Sequence, residues 1–66
     1  MNNKYTEKYP ELVMQLDKQL KESEPELNMD LIELETLAID AHNMSKASVF
    51  NYVCQKIYFL MANNKF

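Results

Sequence analysis

The chain has 66 residues, which is enough for one domain and too few for two. A domain of this size is marginally stable and usually needs a disulfide, a metal or oligomerisation. Its single cysteine excludes an internal disulfide, and its single histidine argues against a closed zinc site, which takes four ligands of Cys or His type. Without glycine or arginine, the chain also lacks a phosphate-binding glycine loop and the most common guanine-reading side chain. Oligomerisation is the remaining means of stabilisation.

The first helix is predicted over residues 10–22. Proline at position 10 suits the first helical turn, where its missing N–H group needs no partner. Apolar residues at spacings of three and four give this helix one apolar face: Tyr9, Leu12, Val13, Leu16 and Leu20. Residues 1–8 carry no periodic pattern, and we expect them to fray.

The second helix is predicted over residues 24–43. The segment 23–26, Ser-Glu-Pro-Glu, has the form of a capping box, although a shorter helix starting near Met29, with Asn28 as its cap, is the alternative. Its apolar stripe consists of Leu27, Leu31, Leu34, Ala38 and Ala41, widened by Ile32 and Ile39. We expect His42 and Asn43 to end the helix, with asparagine replacing the usual C-terminal glycine.

The third helix is predicted over residues 46–63, with Ser45 as its N-cap. From Val49 to Met61 it is apolar almost all the way round, as in a helix that is covered on every side. One face, predicted to meet the other two helices, carries Phe50, Val53, Cys54, Ile57, Leu60 and Met61. A narrow polar strip carries Asn51, Gln55, the hydroxyl edge of Tyr58 and Ala62. Three helices joined by short turns predict an all-α bundle, completed by oligomerisation or a partner.

A second apolar face of the third helix has no predicted cover within the chain. It carries Val49, Tyr52 and Phe59, with Lys56 beside them. Aromatic side chains are typical interface anchors, so these four residues are predicted to bind a second copy or a larger protein. The alternative is that residues 1–8 fold back, so that Tyr5 packs on Tyr52 and Phe59.

The sequence predicts no catalytic residue, cofactor or metal ion. Cys54 and His42 are the only obvious nucleophile and base, but the cysteine lies on the most apolar face of its helix and the histidine at a helix end. Asp30 and Glu33 lack the Glu-x-x-His partner motif of helical-bundle metal sites. They fit better as acids in the first turn of the second helix.

Residues 37–52 resemble the helix-turn-helix of bacterial repressors. The segment has a small residue in its first helix, then a turn, a serine cap and a short polar start to its second helix. The resemblance implies a DNA-binding regulator in which Lys46, Ser48 and Asn51 face DNA. The net charge of −3 favours a protein partner instead.

The charges are distributed unevenly along the chain. Residues 29–44 contain four acids and no base, whereas residues 45–66 contain three lysines and no acid, so these segments could attract each other within or between chains. Seven lysines and seven asparagines without arginine suggest an AT-rich genome. This composition fits a regulator or inhibitor encoded by a phage or other mobile element.

The sequence predicts a cytoplasmic protein. Its first ten residues lack the apolar core of a signal peptide, and the apolar run at 49–61 is too short to span a membrane. A membrane-surface helix would need a more basic polar face than Asn51 and Gln55 supply.

Overall fold

The computed structural model describes residues 6–64 as three helices around one apolar core. The helices are α1 (Pro10–Gln19), α2 (Leu31–Asn43) and α3 (Ala47–Asn64). The predicted all-α three-helix bundle is therefore confirmed. Tyr5, which packs on α3 in the alternative interpretation, lies outside the described residues.

The first helix begins at Pro10, as predicted, but ends at Gln19, three residues before the predicted end. Residues 20–22 form a turn in which the amide of Glu22 donates to the carbonyl of Gln19, 3.0 Å away. This hydrogen bond spans three residues, so the chain tightens and leaves the α-helical path. Val13 and Leu16 are buried, as the predicted apolar face requires.

The second helix begins at Leu31, so the predicted start at residue 24 is wrong, as are the predicted caps Ser23 and Asn28. The cap is Asp30: its carboxylate accepts from the amide of Glu33 at 2.9 Å, and the Glu33 carboxylate accepts from the amide of Asp30 at 3.1 Å. This reciprocal pair satisfies two amides at the helix start. The shorter alternative, which started near Met29, lies much closer to the observed helix.

The turn between α2 and α3 is built around Ser45, whose φ of 59° is in the left-handed region. Its amide donates to the carbonyl of His42 at 3.1 Å, and the amide of Lys46 donates to the carbonyl of Ala41 at 2.9 Å. These two bonds form a Schellman motif at the end of α2. The predictions of Ser45 as the N-cap of α3 and of Asn43 as the glycine substitute are therefore wrong.

The core lies where the three helices meet, and the α2–α3 contact is the most extensive of the three. Its buried apolar members are Val13, Leu16, Leu34, Leu37, Ala38, Ala41, Val49, Tyr52 and Val53. On α2, Leu37 belongs to the core, whereas Ile32 and Ile39 are 73% and 49% exposed, so the predicted widening of the stripe is wrong. On α3, the core is centred on Val49, Tyr52 and Val53, between the two predicted faces.

Candidate interaction surface

The four predicted partner-binding residues do not share one free face. Val49 is fully buried and Tyr52 is 5% exposed, whereas Phe59 is 58% exposed. Lys56 is half-buried, and its Nζ lies 5.2 Å from the centre of the Tyr52 ring, a cation–π contact. The prediction that Val49 and Tyr52 lack cover within the chain is therefore wrong, and of the large apolar residues in the set only Phe59 is at the surface.

Tyr52 is covered by the connection between α1 and α2. Its hydroxyl donates to the carbonyl of Pro25, and Leu27 and Met29 pack against the core nearby. Along residues 24–31, exposed and half-buried side chains alternate, as in an extended segment with one face on the core. The sequence of residues 25–31, Pro-Glu-Leu-Asn-Met-Asp-Leu, shows this period of two. The same leucines also fit a helical spacing, so the sequence alone predicts a helix there.

The solvent-facing side of α3 carries no charged side chain. The exposed residues of this helix, among those whose side chains the structure describes, are Ala47, Ser48, Asn51, Gln55, Tyr58, Phe59, Met61, Ala62 and Asn63. The only charged residue between positions 47 and 64 is Lys56, which lies over the Tyr52 ring. The predicted polar strip of Asn51, Gln55, Tyr58 and Ala62 is exposed, as expected.

This surface becomes apolar toward the C-terminal end of α3. Tyr58 is 71% exposed and Met61 48% exposed, and the Tyr58 ring lies 6.4 Å from the ring of Phe59 in an edge-on arrangement. Phe59 also borders a groove, whose other walls include Leu27, Met29 and Leu60. Two exposed aromatic rings therefore stand next to a partly apolar groove.

The three predicted DNA-facing residues lie at the start of α3. Ser48 and Asn51 are exposed on the helix, whereas Lys46 precedes it. Lys46 is half-buried, and its Nζ lies 3.6 Å from a carboxylate oxygen of Asp17. The helix that would enter the major groove thus presents no cation of its own on its solvent-facing side.

Asp40, one of the four acids in residues 29–44, is a buried polar group. Its side chain is fully buried, and its Oδ2 accepts from the backbone amides of Lys8 at 3.0 Å and Tyr9 at 2.6 Å. A carboxylate at this place attaches the start of α1 to α2. The signal available in the sequence was weak: Asp40 lies between the core positions Ala38 and Ala41.

The other two reactive side chains, Cys54 and His42, pack against apolar or aromatic neighbours. Cys54 is half-buried beside the core, and the ring of His42 packs 5.7 Å from that of Phe50. Among residues 6–64, no three His, Cys, Asp or Glu side chains are grouped as a metal ion requires. Within the same part of the chain, no helix combines the length and apolar character needed to cross a bilayer.

Comparison with known proteins found no relative of this chain. No family model, curated protein or solved structure matches this chain.

Proposed function

We propose that this chain is a non-enzymatic helical interaction protein whose contact surface is the exposed side of α3. It associates with a second copy or with a larger protein whose activity it modulates. The observation that carries the proposal is the absence of charge from all nine exposed side chains of that helix. Depletion of charged residues and enrichment in aromatic residues and methionine distinguish interface cores from the rest of a protein surface.

The free energy of burying apolar side chains favours a partner that covers the exposed side of α3. Fully burying a large apolar side chain stabilises a protein by about 1.5–3 kcal/mol relative to leaving it exposed. Tyr58 and Phe59 are each more than half exposed and their rings are adjacent, so a partner that covers them gains a large part of this free energy. A 66-residue domain has only a few kcal/mol of stability in total, so this gain is comparable to the stability of the fold.

The relative lengths of the helices explain why this surface exists. With a rise of 1.5 Å per residue, the 18 residues of α3 extend about 27 Å, whereas the 13 residues of α2 extend about 20 Å. Accordingly, the buried residues Val49, Tyr52 and Val53 lie in the first half of α3, and none of residues 54–63 is buried. Beside the far end of α3 lies the extended segment 24–31, which leaves this end only partly covered.

DNA binding is the less favoured candidate. Proteins that bind DNA neutralise phosphates with lysine and arginine, and the resulting affinity falls steeply with salt. Lys46 is paired with Asp17, and the exposed side of α3 has no cation. In the helix-turn-helix interpretation, α3 would therefore have no free cation on that side to bind a phosphate. Retention on duplex DNA in 50 mM salt that disappears in Lys46→Ala would favour the helix-turn-helix interpretation over ours.

The test is Phe59→Glu, compared with Ile32→Glu as a matched control. Both residues are exposed apolar residues on helices, so neither change should unfold the chain, which far-UV circular dichroism checks. We expect Phe59→Glu to weaken self-association or capture of a host protein at least tenfold, whereas Ile32→Glu leaves both unchanged. Association and capture that are both insensitive to Phe59→Glu would contradict the proposal, and so would loss of helical structure, because Phe59 would then belong to the core.

A further inference from the structure

We propose that the exposed side of α3 binds a second copy of the chain, with the two α3 helices antiparallel across a two-fold axis near Cys54 and Gln55. This inference rests on the proposed function and specifies its partner. It follows from the order of the side chains on the charge-free side of α3.

Four exposed residues form one straight stripe along α3: Ala47, Asn51, Tyr58 and Ala62. With 3.6 residues per turn, these four positions lie within about 60° of one another around the helix. Their spacings are four, seven and four residues, so the stripe has the same spacing in both directions. A two-fold axis at its midpoint, between Cys54 and Gln55, therefore superposes the stripe on its own reversed copy.

The residues that this symmetry brings together are complementary. Ala47 lies opposite the partner's Ala62, and small residues at both ends of the contact let the helices approach closely. Asn51 lies opposite the partner's Tyr58, so the phenol can donate to the amide oxygen while the ring is covered. A buried tyrosine hydroxyl normally needs such a partner. The contact is isologous, as in most homodimers.

Electrostatics single out α3 as the contact between two copies. Each chain carries a net charge of −3, so two copies repel at long range, and a buried charge without a partner is costly. α1 exposes Glu11 and Lys18, and α2 exposes Glu33 and Glu35. On α3, by contrast, two copies meet without desolvating any exposed charge.

The available area predicts a weak dimer. The chain exposes 5004 Å² in total. A standard interface covers about 800 Å² on each partner, roughly a sixth of that area. One face of a single helix about 27 Å long supplies less than this. We therefore expect a dissociation constant on the order of 10 μM, at the weak end of specific interfaces.

The register can be tested by placing single cysteines along α3 in the Cys54→Ser background. Under the proposed symmetry, position 55 lies about one residue, or about 1.5 Å, along the axis from its own twin. Position 48 lies about 13 residues, or about 20 Å, from its twin. With a short bismaleimide, we expect Gln55→Cys to crosslink mostly to a dimer and Ser48→Cys to remain at least tenfold less crosslinked.

A mixed experiment tests the pairing at the ends of the stripe. Ala47→Cys and Ala62→Cys, each at about 100 μM, should crosslink to each other and much less to themselves. Equal crosslinking of Gln55→Cys and Ser48→Cys, or no crosslinking in any of these mixtures, would overturn the antiparallel dimer.

Sedimentation across a concentration series separates this inference from the proposed function. We expect the wild-type mass to rise toward a dimer between about 1 μM and 1 mM, given the dissociation constant above, and Tyr58→Glu to stay monomeric. A wild-type monomer at 1 mM would overturn the dimer. If the same monomer still captured a host protein in a Phe59-dependent way, the proposed function would stand with a different partner.

Discussion

The side chain of Asp40 connects two parts of the molecule that are more than 30 residues apart in sequence. Its buried carboxylate accepts hydrogen bonds from the amides of Lys8 and Tyr9, the two residues that precede α1. Tyr9 occupies the N-cap position of that helix but makes no side-chain cap of its own. Asp40 thus supplies to α1, from another helix, the negatively charged acceptor that a helix N-terminus favours.

Removing this acceptor should destabilise the whole fold. Asp40→Ala leaves the two amides without their carboxylate, and hydrogen bonds to charged groups contribute about 1.5–3 kcal/mol. We expect a loss of about 2 kcal/mol in the free energy of unfolding, measured by urea denaturation at a protein concentration below that of dimerisation. The control is Glu35→Ala, which changes an exposed acid on the same helix and should cost less than about 0.5 kcal/mol. Equal losses in the two variants would show that the Asp40 contact adds no stability.

At the scale of single elements, α2 shows two competing start signals within eight residues. The pair at Ser23 and Glu26 fits the capping-box pattern in sequence, but the pair at Asp30 and Glu33 forms it. The intervening segment is extended instead, because in that form Leu27 and Met29 reach the core and the Pro25 carbonyl accepts from Tyr52. Tertiary contacts therefore decide which cap is used.

Two alanine substitutions distinguish these caps. Asp30→Ala removes the formed capping box and should cost about 1 kcal/mol of stability, the usual value for an N-cap. Ser23→Ala changes an exposed residue whose predicted cap is not formed and should cost less than about 0.5 kcal/mol. Thermal unfolding followed by circular dichroism measures both. A larger loss in Ser23→Ala than in Asp30→Ala would mean that α2 starts earlier in solution.

The existence of the three helices could be predicted from apolar periodicity, and the bounds of α3 were predicted to within one residue at each end. Which side of each helix faces the core was less predictable from the sequence. The apolar residues of α3 occupy so much of its circumference that the core direction depends on what packs against it. The cover of Tyr52 comes from a segment without helical structure, and the left-handed Ser45 stands where a helix start was expected. Neither feature has a strong local signal.

At the scale of the whole molecule, folding and association draw on the same limited apolar surface. The core uses the first half of α3, and the second half exposes Tyr58, Phe59 and Met61. The lone cysteine cannot form an internal disulfide. Under the proposed dimer, the native state therefore gains stability by mass action as the protein concentration rises.

This linkage gives a prediction for the thermal midpoint. A partner that binds only the folded state stabilises that state according to the concentration of free partner. Because each chain of a homodimer consumes the free partner of another, raising the protein from 10 μM to 1 mM adds about 1 kcal/mol per chain when the dissociation constant is about 10 μM. In a domain of this size, 1 kcal/mol shifts the midpoint by about 4–8 °C. Between 10 μM and 1 mM protein, we expect the wild-type midpoint to rise by about 4–8 °C, if the dissociation constant is on the order of 10 μM.

The same scan of Tyr58→Glu should show a midpoint that does not change with concentration, because the variant lacks the contact while its core is intact. Ile32→Glu, which alters an equally exposed residue on α2, should retain the wild-type concentration dependence. A wild-type midpoint that is constant over this range would mean that the chain folds without help from a second copy. The apolar end of α3 would then be exposed in the free protein, at a cost that only a different partner could offset.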